Sequence, residues 1–95
     1  MSKLTKELAN LAEMLINMQR DLGLYDLNPT EAHVLLMVVR EHELKGKCSM
    51  LQAVEVSNKS RSTVYKAIRK LAQAGIIKIQ NSKSDKRSFL VVPKI

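Results

Sequence analysis

The stretch Ser60–Pro93, SRSTVYKAIRKLAQAGIIKIQNSKSDKRSFLVVP, decides how this chain is read. Its first part has a helical period. Val64, Ala67, Ile68 and Leu71 form one apolar stripe, and at about 100° per residue Ser62, Lys66, Arg69 and Gln73 gather on the opposite side with Tyr65 flanking them. Ser60 suits an N-cap and Gly75 a left-handed stop, which predicts a helix over 61–74. After Gly75 the period becomes extended. Ile76–Gln80 and Ser88–Val92 are short β-branched or aromatic runs. Between them lie seven polar residues, Asn81 to Arg87, with three positive charges. This predicts a hairpin with a long basic tip, closed by Pro93, which cannot donate to a ladder.

Upstream of this stretch the segment Ser57–Ser60 reads as a turn. Before the turn, Ser49 with Gln52 three residues on is a capping box that opens a short helix, with Met50, Leu51, Ala53, Val54 and Val56 as its apolar positions. A longer helix precedes it. Asn28 is the N-cap, Pro29 suits the first helical position, and Glu31 completes an Asn-x-x-Glu capping box. The run Val34–Val39 is too continuous for an exposed helix, so this element is the expected core, and Gly46 ends the connection after it. The first segment, Lys3 to Leu22, places Leu4, Leu8, Leu11, Leu15, Met18 and Leu22 at spacings 4, 3, 4, 3, 4, the a/d seam of a coiled coil. Ala12 and Ile16 widen the seam, and Gly23 suits the position after the helix. A helix of this kind is expected to pack partly on its own domain and to offer the seam to a second copy.

The architecture expected is α+β and mostly α: a winged helix-turn-helix with an N-terminal heptad-patterned helix and a C-terminal β-hairpin wing. One domain accounts for all 95 residues, divided into a dimerisation helix (1–23), a core helix (28–44), the helix-turn-helix (49–75) and the wing (76–92). Charge agrees with this division. Residues 1–55 carry six basic and eight acidic side chains, whereas residues 56–95 carry ten basic and one acidic. A cationic end on a near-neutral body is the footprint of a polyanion binder. A helix entering the major groove, about 12 Å wide, reaches base edges that can be told apart, and a hairpin tip beside it reaches the phosphate backbone or the minor groove. The candidate contacts run from Asn58, Lys59, Ser60, Arg61, Ser62 and Thr63 through Tyr65, Lys66, Arg69 and Lys70, then resume in the wing at Lys83, Ser84, Lys86 and Arg87. Tyr65 suits a phosphate or thymine-methyl contact and equally suits packing at the edge of the helix pair; the sequence does not choose.

The order Ser60-Arg61-Ser62-Thr63-Val64, Leu71, Gly75-Ile76-Ile77, Asp85-Lys86-Arg87 and Phe89–Val92 resembles the MarR family, the multiple-antibiotic-resistance regulators. Leu27-Asn28-Pro29-Thr30 resembles that family's second helix, so the likeness covers roughly residues 24–93. The resemblance implies that Arg87 enters the minor groove, that Asp85 braces the wing, and that Ser60 to Lys66 face bases and phosphates. Three departures stand out. Members usually carry long dimerising helices after the wing, so the chain is expected as a short form whose dimer relies on the N-terminal seam. The position before Ser60, usually apolar, is Lys59. Either Val56 fills that role through a longer turn, or the reading helix starts a turn earlier, capped by Ser57. The small-effector pocket that the resemblance implies for many members draws on elements near the dimer contact, and the sequence assigns no effector.

Other chemistry is weakly supported. Cys48 is a lone thiol, which forms no intrachain disulfide and is more often a buried apolar residue than a redox sensor. His33, His42 and Cys48 match no metal-ligand spacing, so no metal or other cofactor is expected. Three glycines cannot make a phosphate loop, and no nucleophile–base arrangement is suggested, which argues against an enzyme. The longest apolar run, six residues, is far short of a membrane span of about twenty. The function expected is a cytoplasmic, sequence-specific double-stranded DNA-binding regulator, a homodimeric repressor on a pseudo-palindromic site. The alternative is a winged-helix protein–protein adaptor in a transcription or replication complex. Single-strand or RNA binding ranks below both, because three aromatic residues make a poor stacking platform.

Overall fold

A computed structural model describes residues 2–22, 27–81 and 88–94; the side chains of Met18, Gln19 and Leu22 fall outside that description. Four helices precede a two-stranded antiparallel sheet: α1 (Lys3–Leu22), α2 (Pro29–Lys45), α3 (Met50–Ser57), α4 (Arg61–Gln73), β1 (Ile77–Asn81) and β2 (Phe89–Pro93).

Local signals set the helix ends. Asn28 and Ser49 each accept from the backbone N–H three residues on, at 2.8 and 3.1 Å, and Glu31 and Gln52 return the bond to the cap N–H. Both capping boxes are therefore complete. Ser60 caps α4, accepting from Thr63 N. Ser57 is the buried last residue of α3, so α4 starts at Arg61 and not a turn earlier. Asn58 makes the corner in the left-handed region at φ 53°, ψ 41°, a conformation asparagine tolerates better than most residues. At the far end of α4, Gly75 N donates to Ala72 O and Ile76 N to Leu71 O, both at 3.0 Å. This is a Schellman closure, with Gly75 at φ 78°.

The core lies where α2, α3, α4 and the hairpin meet. Val34, Leu35 and Val38 from α2 pack with Ala53, with Val64, Ala67, Ile68 and Leu71 from α4, and with Ile76, Ile77 and Val91. The stripe expected on α4 is the one buried. In α3, by contrast, Ala53 is the buried apolar residue and Leu51 is 56% exposed. The hairpin pairs Ile77 with Pro93 through Asn81 with Phe89, one residue later at each strand than the sequence suggests. It is tied to the helices by a short bridge. Leu90 pairs with Ser49, and Val91 N donates to Cys48 O at 2.8 Å. The segment before α3 thus serves as a third strand fragment that seats the wing against the helix pair.

One expectation about α1 is corrected. It meets none of the other elements among the described residues. Leu4, Leu8 and Leu11 of the seam are exposed, as are Met14 and Ile16, while Leu15 is half-buried. The core of the body is built from α2, α3, α4 and the hairpin without α1. Met18 and Leu22 complete the seam by position, but their side chains, like Gly23, lie outside the described residues.

Candidate nucleic-acid interface

The two faces of α4 do different work. One is locked into the core by four fully or nearly fully buried side chains, which fixes the azimuth of the helix. The other presents Arg61, Ser62, Lys66, Arg69 and Gln73 to solvent. At about 100° per residue, Ser62, Lys66, Arg69 and Gln73 fall within an arc of about 60°. Three cations and two hydrogen-bonding side chains on a helix held rigidly from behind can meet a groove of alternating base edges and phosphates.

The N-terminal hydroxyls form a small network. Ser60 Oγ accepts from Thr63 N at 3.3 Å and donates to Thr63 Oγ1 at 2.7 Å; Ser62 Oγ lies 3.4 Å from Ser60 Oγ. Ser60 therefore acts first as a cap. Ser62 and Arg61 point away from the core, next to the turn residues Asn58 and Lys59, which are also exposed.

The flanks of α4 close against different neighbours. On one side Tyr65 is half-buried and lines an open cleft of about 370 Å³ with Ser49, Met50, Leu51, Ile79, Ser88 and Phe89. The ring thus faces the start of α3 and the loop end of the hairpin strands across this cleft. On the other side Thr63, Lys66 and Ala67 face Asn28, Thr30 and Glu31 across a shallower groove of about 250 Å³.

Lys70 departs from the expected set. Its ammonium lies 3.2 Å from Glu31 Oε1, so it is turned toward α2 and away from the exposed arc. The cause is Glu31, whose side chain is 9% exposed; a carboxylate held out of water favours a cation. The sequence marks Glu31 as a capping residue only. Its second role joins positions 39 residues apart, which no local period can show.

The wing contacts Lys83, Ser84, Lys86 and Arg87, and the brace Asp85, lie outside the described residues. The strands on either side of them are described, and their register ends at the pair Asn81 and Phe89.

The remaining titratable candidates serve structure. Cys48 is fully buried and its Sγ donates to Ser49 O. Burial, and secondarily the charge of Glu41, push its thiol up to about 11, with Lys45 pulling the other way. It is a protonated packing residue at neutral pH. His33 Nε2 lies 3.0 Å from Ser57 O and links α2 to the end of α3. No cluster of three metal-ligating side chains occurs among the described residues.

Comparison with known proteins agrees with this geometry. The model of the MarR family matches residues 25–88, and the chain belongs to that family. No curated protein sequence matches it. Among solved structures, the Staphylococcus aureus MepR–DNA complex superposes with a TM-score of 0.66 at 16% identity, over 98% of this chain and 72% of that one. The heme sensor protein PefR from Streptococcus agalactiae, in complex with heme, gives 0.63 at 21%, over 99% and 65%. Bordetella bronchiseptica BpsR, whose DNA binding is regulated by 6-hydroxynicotinic acid, gives 0.59 at 19%, over 90% and 67%. The chain spans about two thirds of the length of these relatives. At such identities the likeness establishes the fold, that of a MarR-family winged-helix transcriptional regulator.

Proposed function

We propose that the chain is a sequence-specific double-stranded DNA-binding regulator that acts as a homodimeric repressor in the cytoplasm. The observation that carries this reading is the exposed arc of Ser62, Lys66, Arg69 and Gln73 on a helix whose opposite face is fixed in the core. Rigid support matters, because base readout needs donors and acceptors held in register. In this reading Ser62 and Lys66 read bases, Arg61, Arg69 and Lys59 neutralise phosphates, and Arg87 reaches the minor groove with Asp85 as its brace. The seam of α1 pairs with a second copy. Two reading helices then meet successive major grooves about 34 Å apart on a pseudo-palindromic site. Occupying such a site excludes other proteins from it, which is the simplest route to repression.

Selection of bound duplexes from a random pool, with the mass of the free protein measured alongside, tests the reading. The expected result is a two-fold site and a mass of two chains. Arg87→Ala should weaken binding to most sequences, whereas substituting Ser62 or Lys66 should also change the selected bases. No retained duplex, or a salt dependence of log K with no slope, overturns the reading, because several neutralised phosphates require a steep one. A stable stoichiometric protein partner captured without duplex retention would favour an adaptor.

A further inference from the structure

Lys66 and Lys70 stand one turn apart on the same flank of α4, yet they are treated differently. Lys66 is exposed at the rim of the groove between α4 and the start of α2. Lys70 is held by Glu31 Oε1 at 3.2 Å, and the same oxygen accepts the Asn28 N–H at 3.0 Å. Glu31 is thus fixed by the α2 cap and cannot follow Lys70 outward. We propose that Glu31 withholds Lys70 from nucleic acid and acts as a positioning residue that limits sequence-independent attraction. The inference rests on the DNA-binding reading above.

The physical case is an asymmetry of environment. A lysine–phosphate contact at the rim of a complex is solvated and screened by salt. Removing the ammonium from Glu31 would leave a nearly buried carboxylate with the Asn28 N–H and no countercharge, which is the more costly outcome. Lys70 therefore stays with Glu31 when a duplex arrives. The reading helix then carries one fewer mobile cation than its sequence contains. Attraction to any duplex is lowered while the base-reading arc is untouched, so the ratio of specific to non-specific binding rises.

The test measures binding to a short mixed-sequence duplex between about 50 and 200 mM salt. Arg69→Met, which removes an exposed cation assigned to phosphate, is the reference and should flatten the slope by about 0.9 per bound chain. Lys70→Met should leave the slope at its wild-type value. Glu31→Gln keeps a competent capping residue but frees Lys70, so it should steepen the slope by about 0.9 per bound chain, an extra loss of about threefold across that range. The double variant Glu31→Gln/Lys70→Met avoids a stranded carboxylate and should return to the wild-type slope. Flattening by Lys70→Met or by the double variant, to the extent seen for Arg69→Met, overturns the inference, as does no steepening in Glu31→Gln. Failure of the wild-type chain to bind any duplex removes the DNA-binding reading itself, and this inference with it.

Discussion

Replacing Leu8 with glutamate places a charge in the middle of the α1 seam. Leu4, Leu8 and Leu11 are 63%, 57% and 47% exposed in the single chain. Fully burying a leucine contributes about 1.5–3 kcal/mol, so covering the exposed part of each, close to half or somewhat more, returns about 1 kcal/mol per side chain. In a two-fold dimer every substitution occurs twice. Leu8→Glu therefore removes about 2 kcal/mol of burial and adds the cost of two carboxylates near an apolar seam, for a total of at least about 3 kcal/mol. That is a rise of at least about 100-fold in the dimer dissociation constant. Because α1 meets no other element among the described residues, the rest of the fold should survive. Loss of helical signal should be confined to α1, since a lone helix of this length is marginal in water. Sedimentation at micromolar concentration, with a parallel mobility-shift titration, reads the result. The expected outcome is a monomer with DNA affinity reduced by at least about 100-fold, because the second half-site is no longer delivered by the first. A Leu8→Glu protein that sediments with the wild type and retains its affinity would refute the seam as the dimer contact.

Cys48 gives a pH prediction. Its folded pKa, about 11, lies above the reference 9.0, so its stabilising effect is complete below about pH 9 and is lost as pH rises toward 11. Relative to Cys48→Ala, the wild type should lose roughly 2 kcal/mol over that interval in urea titrations; parallel pH curves would contradict the assignment. Gly75→Ala retains open space, since nothing lies within 4 Å of an added Cβ, but φ 78° strains it. The expected cost is about 1 kcal/mol, or a Tm lower by about 4–8 °C by calorimetry, with Gly75→Asn less affected. Ile68→Ala empties a fully buried position on the supporting face of α4. It should cost about 2–5 kcal/mol in chemical denaturation and shift unfolding to much lower urea.

Much of this molecule is legible in local chemistry. The caps at Asn28 and Ser49, the stop at Gly75 and the buried stripe of α4 follow from spacing and residue type alone, because each is settled within one helical turn. Features that join distant segments are not legible. The bridge from Ser49 to Leu90 needs only backbone groups, and any residue pair can make it. The half-burial of Tyr65 depends on where the hairpin strands land against α3. The pairing of Glu31 with Lys70 depends on the crossing of α2 and α4. The choice of Ser60 over Ser57 as cap was open in the sequence, since both are serines in a turn. It is resolved by packing: Ser57 is needed inside, where its carbonyl meets His33 Nε2.

These non-local features bear on recognition because they decide which cations are available. Composition counts Lys66, Arg69 and Lys70 alike, and a helical wheel places all three on the polar half of α4. The fold separates them. Lys66 and Arg69 project from a surface with no acidic neighbour at ion-pair distance among the described residues, whereas Lys70 is matched to a carboxylate fixed by a helix cap. Net charge therefore overstates the unpaired positive charge that α4 presents. A salt slope is the measurement that counts cations engaged with phosphate and leaves out cations merely present.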